Sequence, residues 1–344
     1  MGSRKATKGG PEILTGQDAV GIFSELRKEH GEDRIFWGSD ERLHIVKLPL
    51  GIDTLDRALG GGFAFGRFAL LYGEWSSGKS LISLFAIKAA QDQGYATAYI
   101  DVERTFDPDW AAVLGVDLSK LLVSQPRSGE EAFDVLDDLC RARFGMVIMD
   151  SIAACVPVKL LEGEKDPLGA RARLLNSRLA KTNTVNGVTA IVLINQMREG
   201  IGIMFGDPRV LPGGKGQHFF PSLKVKVTRG DWIEEKIGEP TKPGDKPRKK
   251  RVGYHLKVVI EKNKQGGSHM FDEGEVPFLF SGVVDVVAGL VPLALDLGII
   301  RQSGANYEVL GEKIFGRRNL VEHLTQHPEV QEQLRRAIQE VPEF

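Results

Sequence analysis

A glycine-rich segment at residues 73–80, Gly-Glu-Trp-Ser-Ser-Gly-Lys-Ser, sets the strongest limit on what this chain can fold into. It matches the spacing G-x-x-x-x-G-K-[ST], follows the apolar run 67–72 and precedes a helical pattern that starts at Leu81. In such a strand-loop-helix unit, backbone N–H groups point into the loop and the helix adds the positive end of its dipole. The segment therefore predicts a cradle for the phosphates of a nucleoside triphosphate. The alternative is an ordinary turn with an incidental lysine, which would require every fixed position to match by chance.

The positions of this loop have distinct predicted roles. Lys79 would reach the β and γ phosphates, and the Ser80 hydroxyl would ligate Mg²⁺. The predicted nucleotide-contacting residues of the loop are Gly73, Glu74, Ser76, Ser77, Gly78, Lys79 and Ser80. We therefore expect a nucleoside triphosphate and Mg²⁺ as cofactors.

Length and composition narrow the class of protein. A chain of 344 residues can bury one large core and a small satellite domain. The formal net charge of −1 gives no overall attraction to nucleic acid, so a DNA-binding surface would need local clusters of basic residues. Cys140 and Cys155 lie in apolar surroundings without metal-ligand spacing, which predicts core thiols in a reducing compartment.

No segment of the sequence predicts export or a membrane span. The N-terminus lacks the apolar run of a signal peptide. The most apolar stretch, 276–300, is interrupted by Asp285, Asp296 and two prolines, Pro277 and Pro292, which favours a buried segment over a membrane helix. We therefore expect a cytoplasmic protein without membrane contact.

Apolar runs alternate with helical patterns after the glycine-rich loop. The predicted strands occupy 97–103, 121–125, 146–150 and 190–195. This alternation predicts an α/β fold with a mostly parallel, twisted sheet covered by helices on both faces. Segments 223–228 and 255–260 alternate apolar and polar residues, as strands toward one side of the sheet would. Between them, 238–253 is rich in Pro, Gly and Lys, and a solvated hairpin tip is favoured there over a DNA contact.

The two ends of the chain differ from this central pattern. Residues 1–36 predict a flexible leader and an amphipathic helix that starts near Thr15 and carries Ile22 and Phe23 on its apolar stripe. A single helix cannot bury that stripe alone, so it must dock on the core or on another molecule. Residues 283–344 predict a small separate α+β lobe with a final helix, which leaves 37–282 as the core.

Two carboxylates follow predicted strands and could serve a bound triphosphate. Asp150 ends the strand 146–150, where a Mg²⁺-bound water would be held. Glu103 ends the strand 97–103, and parallel sheets place ligands at the carboxyl ends of their strands. From position alone, a catalytic base and a surface salt bridge are equally favoured for Glu103.

Several longer motifs are more specific than the phosphate loop. They are Ile-Asp-Val-Glu at 100–103, Met-Asp-Ser at 149–151, Asn-Gln-Met-Arg at 195–198, Met-Phe-Gly at 204–206, Lys-Asn-Lys at 262–264 and Gly-Glu-Lys-Ile at 311–314. On these residues the chain resembles the bacterial RecA recombinases, phage-encoded members included, from its first helix to its last. The resemblance implies a RecA-type P-loop ATPase core with an N-terminal oligomerisation helix and a small α+β C-terminal domain.

The resemblance also assigns ATP-hydrolysing roles. Beside Lys79, it implies that Glu103 activates the attacking water and that Gln196 senses the γ-phosphate. It implies that Lys262 and Lys264 reach the ATP of the neighbouring subunit, so hydrolysis would need a filament.

Further implied contacts concern the base and the subunit interface. Trp110 falls where the family packs an aromatic on adenine, with Asp107 close to the base, although a buried core tryptophan is the alternative. Phe219 matches an aromatic at the subunit interface, where Ile22 and Phe23 of the first helix would also lie.

Two segments, about 162–171 and 197–215, correspond to the family's DNA-binding loops. The second is long and carries apolar residues that are unusual in a surface loop, which wedges inserted between base steps would explain. The implied DNA-contacting residues are Leu168, Gly169, Arg171, Arg173, Met197, Arg198, Ile201, Phe205, Gly213 and Gly214. The first loop is shorter than the family pattern, and Gly200 stands where a lysine is common; Arg171 and Arg173 would compensate.

The C-terminal lobe resembles the family's duplex-capturing face through Lys313, Arg317 and Arg318. The segment 340–344 is not strongly acidic, so we expect duplex binding with less competition from a tail.

The resulting hypothesis is a DNA-dependent ATPase of homologous recombination and repair, with a link to the SOS response. It would form a helical filament on single-stranded DNA and exchange strands with homologous duplex, with single-strand-binding and loader proteins as further partners. It would act in the bacterial cytoplasm and nucleoid, or in the host cytoplasm if phage-encoded. One alternative is a RecA-like ATP-binding accessory scaffold without strand exchange, which degraded loops would favour. Another is a hexameric helicase, which an N-terminal collar domain would favour.

Overall fold

The computed structural model describes residues 16–163, 169–199, 209–237, 248–266 and 272–341. The α-helices are α1 Gly16–His30, α2 Asp53–Ala58, α3 Lys79–Asp92, α4 Pro108–Val113, α5 Gly129–Arg141, α6 Val158–Leu161, α7 Ala170–Val185, α8 Gly216–Phe219, α9 Val286–Asp296, α10 Arg317–Gln326 and α11 Pro328–Glu340. The strands are β1 Lys47–Leu48, β2 Phe63–Ala64, β3 Phe68–Gly73, β4 Thr97–Asp101, β5 Leu121–Ser124, β6 Met146–Asp150, β7 Ala190–Gln196, β8 Arg198–Glu199, β9 Arg209–Val210, β10 Leu223–Ile237, β11 Arg248–Asn263, β12 Glu273–Leu279, β13 Arg301–Ser303, β14 Asn306–Val309 and β15 Glu312–Phe315. Short 3₁₀ helices cover Glu41–Leu43, Leu118–Lys120 and Ile152–Ala154.

The chain divides into two compact units, residues 1–45 and 46–344. The first unit contains α1, close to where the sequence predicts an amphipathic helix. Within it, the Phe23 ring stacks on Trp37 with the ring centroids 4.5 Å apart, and the Arg27 guanidinium lies 5.5 Å from the Phe23 centroid. Part of the apolar stripe of α1 is therefore covered inside its own unit.

The second unit is built on an eight-stranded sheet with the order β12-β11-β10-β3-β7-β6-β4-β5. The strands from β10 to β5 run parallel, while β11 and β12 are antiparallel additions on one side. The predicted mostly parallel sheet is confirmed, and so is the position of 223–228 and 255–260 toward one side of it. Because β3, β4, β6 and β7 run parallel, their carboxyl ends lie next to one another along the same side of the sheet.

Helices cover both faces of this sheet, and side chains alternate between the two. Leu71 and Ile148 pack into a cluster with α3, whereas Leu70 and Val147 pack into a second cluster with α5 and α7. This alternation follows from the two-residue period of a strand. The second cluster includes Cys140 and Cys155, which are free and buried as the sequence predicts.

Strand β5 departs from the expectation of a buried strand. The apolar run at 121–125 resembles the central strands, but β5 lies at the edge of the sheet and pairs only with β4 among the described strands. Leu122 and Val123 are consequently exposed. Composition cannot separate an edge strand from a central one when the edge strand is as apolar as the central ones.

Strands β10 and β11 form a long hairpin that extends beyond the sheet. β3 pairs with β10 only over Leu223–Lys226, and β12 pairs with β11 only over Gly253–Val259. Beyond the segments that pair with β3 and β12, the hairpin has only its own two strands among the described residues. On the hairpin, the guanidinium carbons of Arg229 and Arg251 each lie 4.4 Å from the Trp232 ring centroid. The tip at 238–247 lies outside the described residues.

The C-terminal segment has an apolar cluster of its own. Buried side chains of α9, β14, α10 and α11 meet there, with Leu290, Leu320, Leu324 and Leu334 fully enclosed. The three strands β13, β14 and β15 form an antiparallel sheet beside it. The predicted small α+β element is thus present, while the boundary near residue 283 stays a prediction. Within the described ranges, no helix is both long and apolar enough to cross a membrane.

Candidate nucleotide and DNA site

The phosphate loop lies between the end of β3 and the start of α3. Gly78 caps α3 with a φ of 102°, a left-handed conformation that glycine adopts without strain. Gly73 has no room for a side chain, because a Cβ there would stand 2.1 Å from the Val227 carbonyl oxygen on β10. Glycine is therefore needed at position 78 for its backbone conformation and at position 73 for lack of space.

The Lys79 ammonium is held inside this loop. Its Nζ donates to the carbonyl oxygens of Gly73 and Glu74 at 3.2 and 2.6 Å and lies 3.4 Å from the Ser77 hydroxyl. Burial lowers the pKa of Lys79, while the nearby carboxylates of Asp150 and Glu103 oppose that shift. The Lys79 ammonium is thus already inside the phosphate loop, where phosphate oxygens would replace its carbonyl partners.

Ser80 and Asp150 meet as a metal site of this kind requires. The Ser80 hydroxyl donates to Asp150 Oδ2 at 3.0 Å, and the Tyr99 hydroxyl donates to the same oxygen at 2.6 Å. Burial raises the pKa of Asp150, so a cation beside it would be needed to favour the ionised form at this depth. A hydroxyl and one carboxylate fit Mg²⁺, which takes few protein ligands and completes its octahedron with phosphates and water.

Glu103 lies just past β4, on a turn fixed by the buried carboxylate of Asp101. That carboxylate accepts the backbone N–H groups of Thr105 and Phe106 at 2.9 and 3.1 Å and the Gln125 amide at 2.9 Å. Sequence reasoning missed this role of Asp101, although an aspartate that bonds nearby backbone N–H groups is a common device in turns.

Two predicted residues, Glu103 and Gln196, meet beside the phosphate loop. The Gln196 amide donates to both carboxylate oxygens of Glu103, at 2.9 and 3.0 Å, and the Ser151 hydroxyl donates to Glu103 as well. Gln196 pairs with Gly73 across β3 and β7, and the Met197 N–H donates to the Gly73 carbonyl at 3.1 Å. The start of the second predicted DNA loop is therefore bonded to the phosphate loop.

A cavity of about 430 Å³ adjoins Lys79 and Ser80. Its aromatic lining consists of Trp110, Trp232, Tyr254, Phe278 and Phe280. Trp110 meets Phe278 edge to face with the centroids 6.2 Å apart, so the predicted base-stacking residue belongs to an aromatic wall. Asp107 is exposed and caps α4 by accepting the Trp110 N–H at 3.0 Å, which positions the ring. Arg229 and Trp232 of the hairpin also line this cavity, and no motif in the sequence pointed to them.

Lys262 and Lys264 lie away from the phosphate loop of their own chain. Lys262 stands opposite Lys224 on β10, which stands opposite Leu70 on β3, three residues before Gly73. The Lys262 ammonium donates to the carbonyls of His218 and Phe219 at 2.8 and 3.0 Å.

Lys264 is exposed and directly follows the last residue of β11, two residues beyond Lys262 and further from the phosphate loop. The structure does not bring these two lysines to the site that Lys79 and Glu103 form.

The predicted DNA loops are described only at their ends. Leu168, Ile201 and Phe205 lie outside the described residues. Gly169 caps α7 with a φ of 83°, and Arg171 and Arg173 are exposed in the first turn of that helix. β8 and β9 pair across the second loop, Arg198 with Val210. Gly213 and Gly214, with φ values of 112° and 77°, pack against α7.

A buried amide pair joins the second loop to β7. Asn195 Nδ2 donates to the Pro212 carbonyl at 3.0 Å and to Gln217 Oε1. Gln217 Nε2 donates to the carbonyls of Leu211, Pro212 and Gly214 at 3.2, 2.9 and 3.0 Å. Sequence reasoning missed Gln217, because nothing local distinguishes it from a surface glutamine.

The remaining predicted residues are on the surface. Phe219 is 71% exposed, a large fraction for an aromatic side chain. Lys313 on β15 and Arg317 and Arg318 at the start of α10 are exposed, on either side of Gly316 in the chain.

The fold and this site define a P-loop nucleotide-binding protein of the parallel α/β class. The profile of the RecA N-terminal domain matches residues 17–285, and that of the RecA C-terminal domain matches residues 288–342. The chain is 38% identical to Protein RecA of Kineococcus radiotolerans over 327 residues, which cover 92% of this chain and 90% of that protein. It is 33% identical to Protein RecA of a Nostoc species over 326 residues, covering 93% and 87%.

The chain belongs to the RecA family. It is a recombinase, with the ATP binding and DNA binding of homologous recombination and repair. Members of the family are DNA-dependent ATPases that act on DNA as oligomeric filaments.

Proposed function

We propose that this chain polymerises on single-stranded DNA, pairs it with homologous duplex, exchanges the strands and resets the filament by ATP hydrolysis at subunit junctions. The observation that carries the proposal is the contact chain Glu103, Gln196, Met197 and Gly73, which links the candidate base, the phosphate loop and the start of the second DNA loop. A nucleotide that disturbs one of these contacts would alter the others.

In the proposed binding step, Lys79 exchanges the carbonyls of Gly73 and Glu74 for phosphate oxygens. Ser80 and Asp150 would hold Mg²⁺, Asp150 through a water. Bound Mg²⁺ supplies charge neutralisation of the phosphate oxygens. The base would stack against Trp110 in the aromatic cavity beside the loop.

Glu103 is the proposed base. It would take a proton from water as the water oxygen bonds to the γ-phosphorus and the bond to the bridging oxygen breaks, which gives ADP and phosphate. In the present structure Gln196 occupies both Glu103 oxygens. A γ-phosphate that accepted the Gln196 amide would free Glu103 and shift the backbone that leads into the second loop.

Assembly into a filament is supported by three surfaces. Phe219 is exposed, and β5 offers an unpaired, apolar edge among the described strands, which is a template for pairing with a second copy. Lys262 and Lys264 lie away from the phosphate site that Lys79 forms in the same chain. We propose that they complete the site of the next subunit.

The proposed DNA contacts use both loops and the C-terminal lobe. Arg171 and Arg173 would hold phosphates at the first loop, and Ile201 and Phe205 would separate base steps at the second. The exposed cluster of Lys313, Arg317 and Arg318 would receive duplex DNA.

The test is strand exchange between a single-stranded circle and a homologous linear duplex, with ATP and Mg²⁺. We expect product with the wild type and none with Lys79→Ala. Thr184→Ala, an exposed change on the far end of α7, serves as the control and should leave exchange unchanged. Product formed by Lys79→Ala would contradict the nucleotide part of the proposal. Binding of single-stranded DNA by the wild type without any exchange would favour an accessory scaffold instead.

A further inference from the structure

Gln217 is a buried polar side chain at the far end of the second DNA loop. It forms four hydrogen bonds, three to backbone carbonyls of the loop and one to the Asn195 side chain. Its side chain is fully enclosed, and so is that of Asn195. We infer that Gln217 is a positioning residue that makes the far end of this loop follow the strand carrying Gln196. The inference rests on the proposed function, since it concerns how bound nucleotide changes the grip of the loop on DNA.

The first link runs from the strand to the amide pair. Asn195 Oδ1 accepts the backbone N–H of Gln196 at 2.8 Å, and Asn195 Nδ2 donates to Gln217 Oε1. A shift of the Gln196 backbone therefore changes the partner of the same side chain that holds Gln217. The link is short, because it passes through one residue that neighbours the proposed γ-phosphate sensor.

The second link runs from Gln217 into the loop. Its Nε2 group binds the carbonyls of Leu211, Pro212 and Gly214, so one amide holds three residues of the loop's return segment. Asn195 binds the Pro212 carbonyl as well. The loop leaves β7 at Met197, directly after Gln196, and its return segment is bonded to Asn195, the residue before Gln196.

The third link runs from the return segment to α7, the helix that follows the first DNA loop. The Gly216 N–H donates to Asn176 Oδ1 at 2.8 Å, and a Cβ on Gly214 would stand 2.7 Å from the Ala172 Cβ. Both contacts are to α7, which starts directly after Gly169. Close packing of this kind leaves little freedom for independent movement of the two loop ends.

Buried, mutually satisfied amides suit such a connection. Breaking one bond of the pair would leave a donor or acceptor unpaired away from water, so the two side chains are expected to move together. Both are neutral, which means that salt in the buffer does not weaken the link. The structure shows the arrangement in which Gln217 holds the loop, and the inference is that a change at Gln196 loosens this hold.

The test compares affinity for a fluorescent single-stranded oligonucleotide in a slowly hydrolysed ATP analogue and in ADP, by anisotropy. The ratio of the two dissociation constants measures nucleotide coupling. Gln217→Met keeps the length of the side chain and removes its hydrogen bonds. We expect it to reduce the ratio by about fivefold or more, a typical size for allosteric coupling, while the affinity for the nucleotide without DNA stays within about twofold. Unchanged coupling in a folded Gln217→Met protein would overturn the inference.

Gln91→Met is the matched control. The Gln91 side chain on α3 makes three hydrogen bonds, to Thr97 and to the backbone of Asp117, compared with four for Gln217, and it lies at the end of the helix remote from the phosphate loop. It should lose stability without losing coupling. Equal loss of coupling in both variants would assign the effect to general destabilisation and reject a specific role for Gln217.

A second variant covers the case in which Gln217→Met fails to fold. Gln217→Leu is apolar and similar in volume, also has no N–H for the three carbonyls, and is expected to lose coupling in the same way. Normal coupling in Gln217→Leu would reject the proposed hold on the loop. A wild type without any nucleotide dependence of DNA affinity would instead reject the proposed function itself, so the two failures differ in which protein shows them.

Discussion

The Gln196 amide lies 2.9 and 3.0 Å from the two carboxylate oxygens of Glu103, so the proposed sensor and the proposed base are each other's partners. A carboxylate that donates nothing and accepts from an amide is poorly placed to take a proton until that amide turns away. The pair therefore supports a resting arrangement in which hydrolysis is suppressed.

Replacing Glu103 by Gln removes the base and keeps the shape of the side chain. We expect the rate of ATP hydrolysis on single-stranded DNA to fall by about 10²-fold to 10⁴-fold, the usual contribution of a general base. Affinities for ATP and DNA should stay close to those of the wild type, because Lys79 and the loops are intact. Phosphate release and oligonucleotide anisotropy measure the two properties. Hydrolysis at more than a tenth of the wild-type rate would rule out Glu103 as the base.

The buried Lys79 ammonium predicts a pH dependence of nucleotide binding. Burial lowers its pKa, so the neutral amine forms at lower pH than in an exposed lysine. Only the charged form attracts phosphate, so ATP affinity should fall as pH rises through that lowered pKa, with proton uptake on binding. Titration calorimetry between about pH 7 and about pH 10, in buffers of different ionisation enthalpy, measures both effects. Lys79→Arg stays charged throughout this range and should bind without the alkaline loss. An alkaline loss of equal size in Lys79→Arg would point to a different group.

A site shared between subunits can be tested by mixing two inactive variants. Lys79→Ala lacks the phosphate-binding lysine, and Lys262→Ala lacks the lysine proposed to act on the neighbouring subunit. In a random equal mixture, about a quarter of head-to-tail junctions would contain both intact residues. Hydrolysis should therefore recover to about that share of the wild-type rate. A mixture as inactive as the two variants alone would mean that Lys262 acts within its own chain, and an active Lys262→Ala variant would mean that hydrolysis does not need Lys262.

The C-terminal cluster predicts a local stability effect. Leu334 is fully buried there, so Leu334→Ala should cost about 2 to 5 kcal/mol. Leu310 lies in the same segment but is exposed, and Leu310→Ala should change the unfolding free energy by about 0.5 kcal/mol at most. Calorimetry separates two outcomes. A shift of one early transition would support a separate lobe from about residue 283, whereas a shift of the whole profile would argue for one cooperative unit.

Much of the fold could be predicted because the phosphate loop and the apolar runs are local signals. Asp150 and Gln196 each end a strand and Glu103 lies two residues past the end of β4, and parallel strands bring such ends together, so their proximity follows from the pattern. The edge position of β5 could not be predicted, because its composition matches a buried strand.

Two of the residues that were missed, Tyr99 and Gln217, act through tertiary contacts. Tyr99 reads as a strand aromatic, and only the structure shows its hydroxyl on Asp150. Gln217 follows a glycine in a polar segment, and its enclosure depends on α7 and β7 packing around it. A polar residue gains such a role from partners distant in sequence, which no window of the chain contains.

Helix α7 has one more consequence, for how insertions and deletions are tolerated. From Gly169 to Asn176 the helix spans about 10 Å at a rise of about 1.5 Å per residue, and this rigid length sets the distance between the anchor points of the two DNA loops. Changes in the length of either loop leave that spacing untouched. Removing a single residue from the first turns of α7 would rotate one anchor by about 100° around the axis relative to the other. We therefore expect insertions and deletions to be tolerated within the loops but not within the first turns of α7.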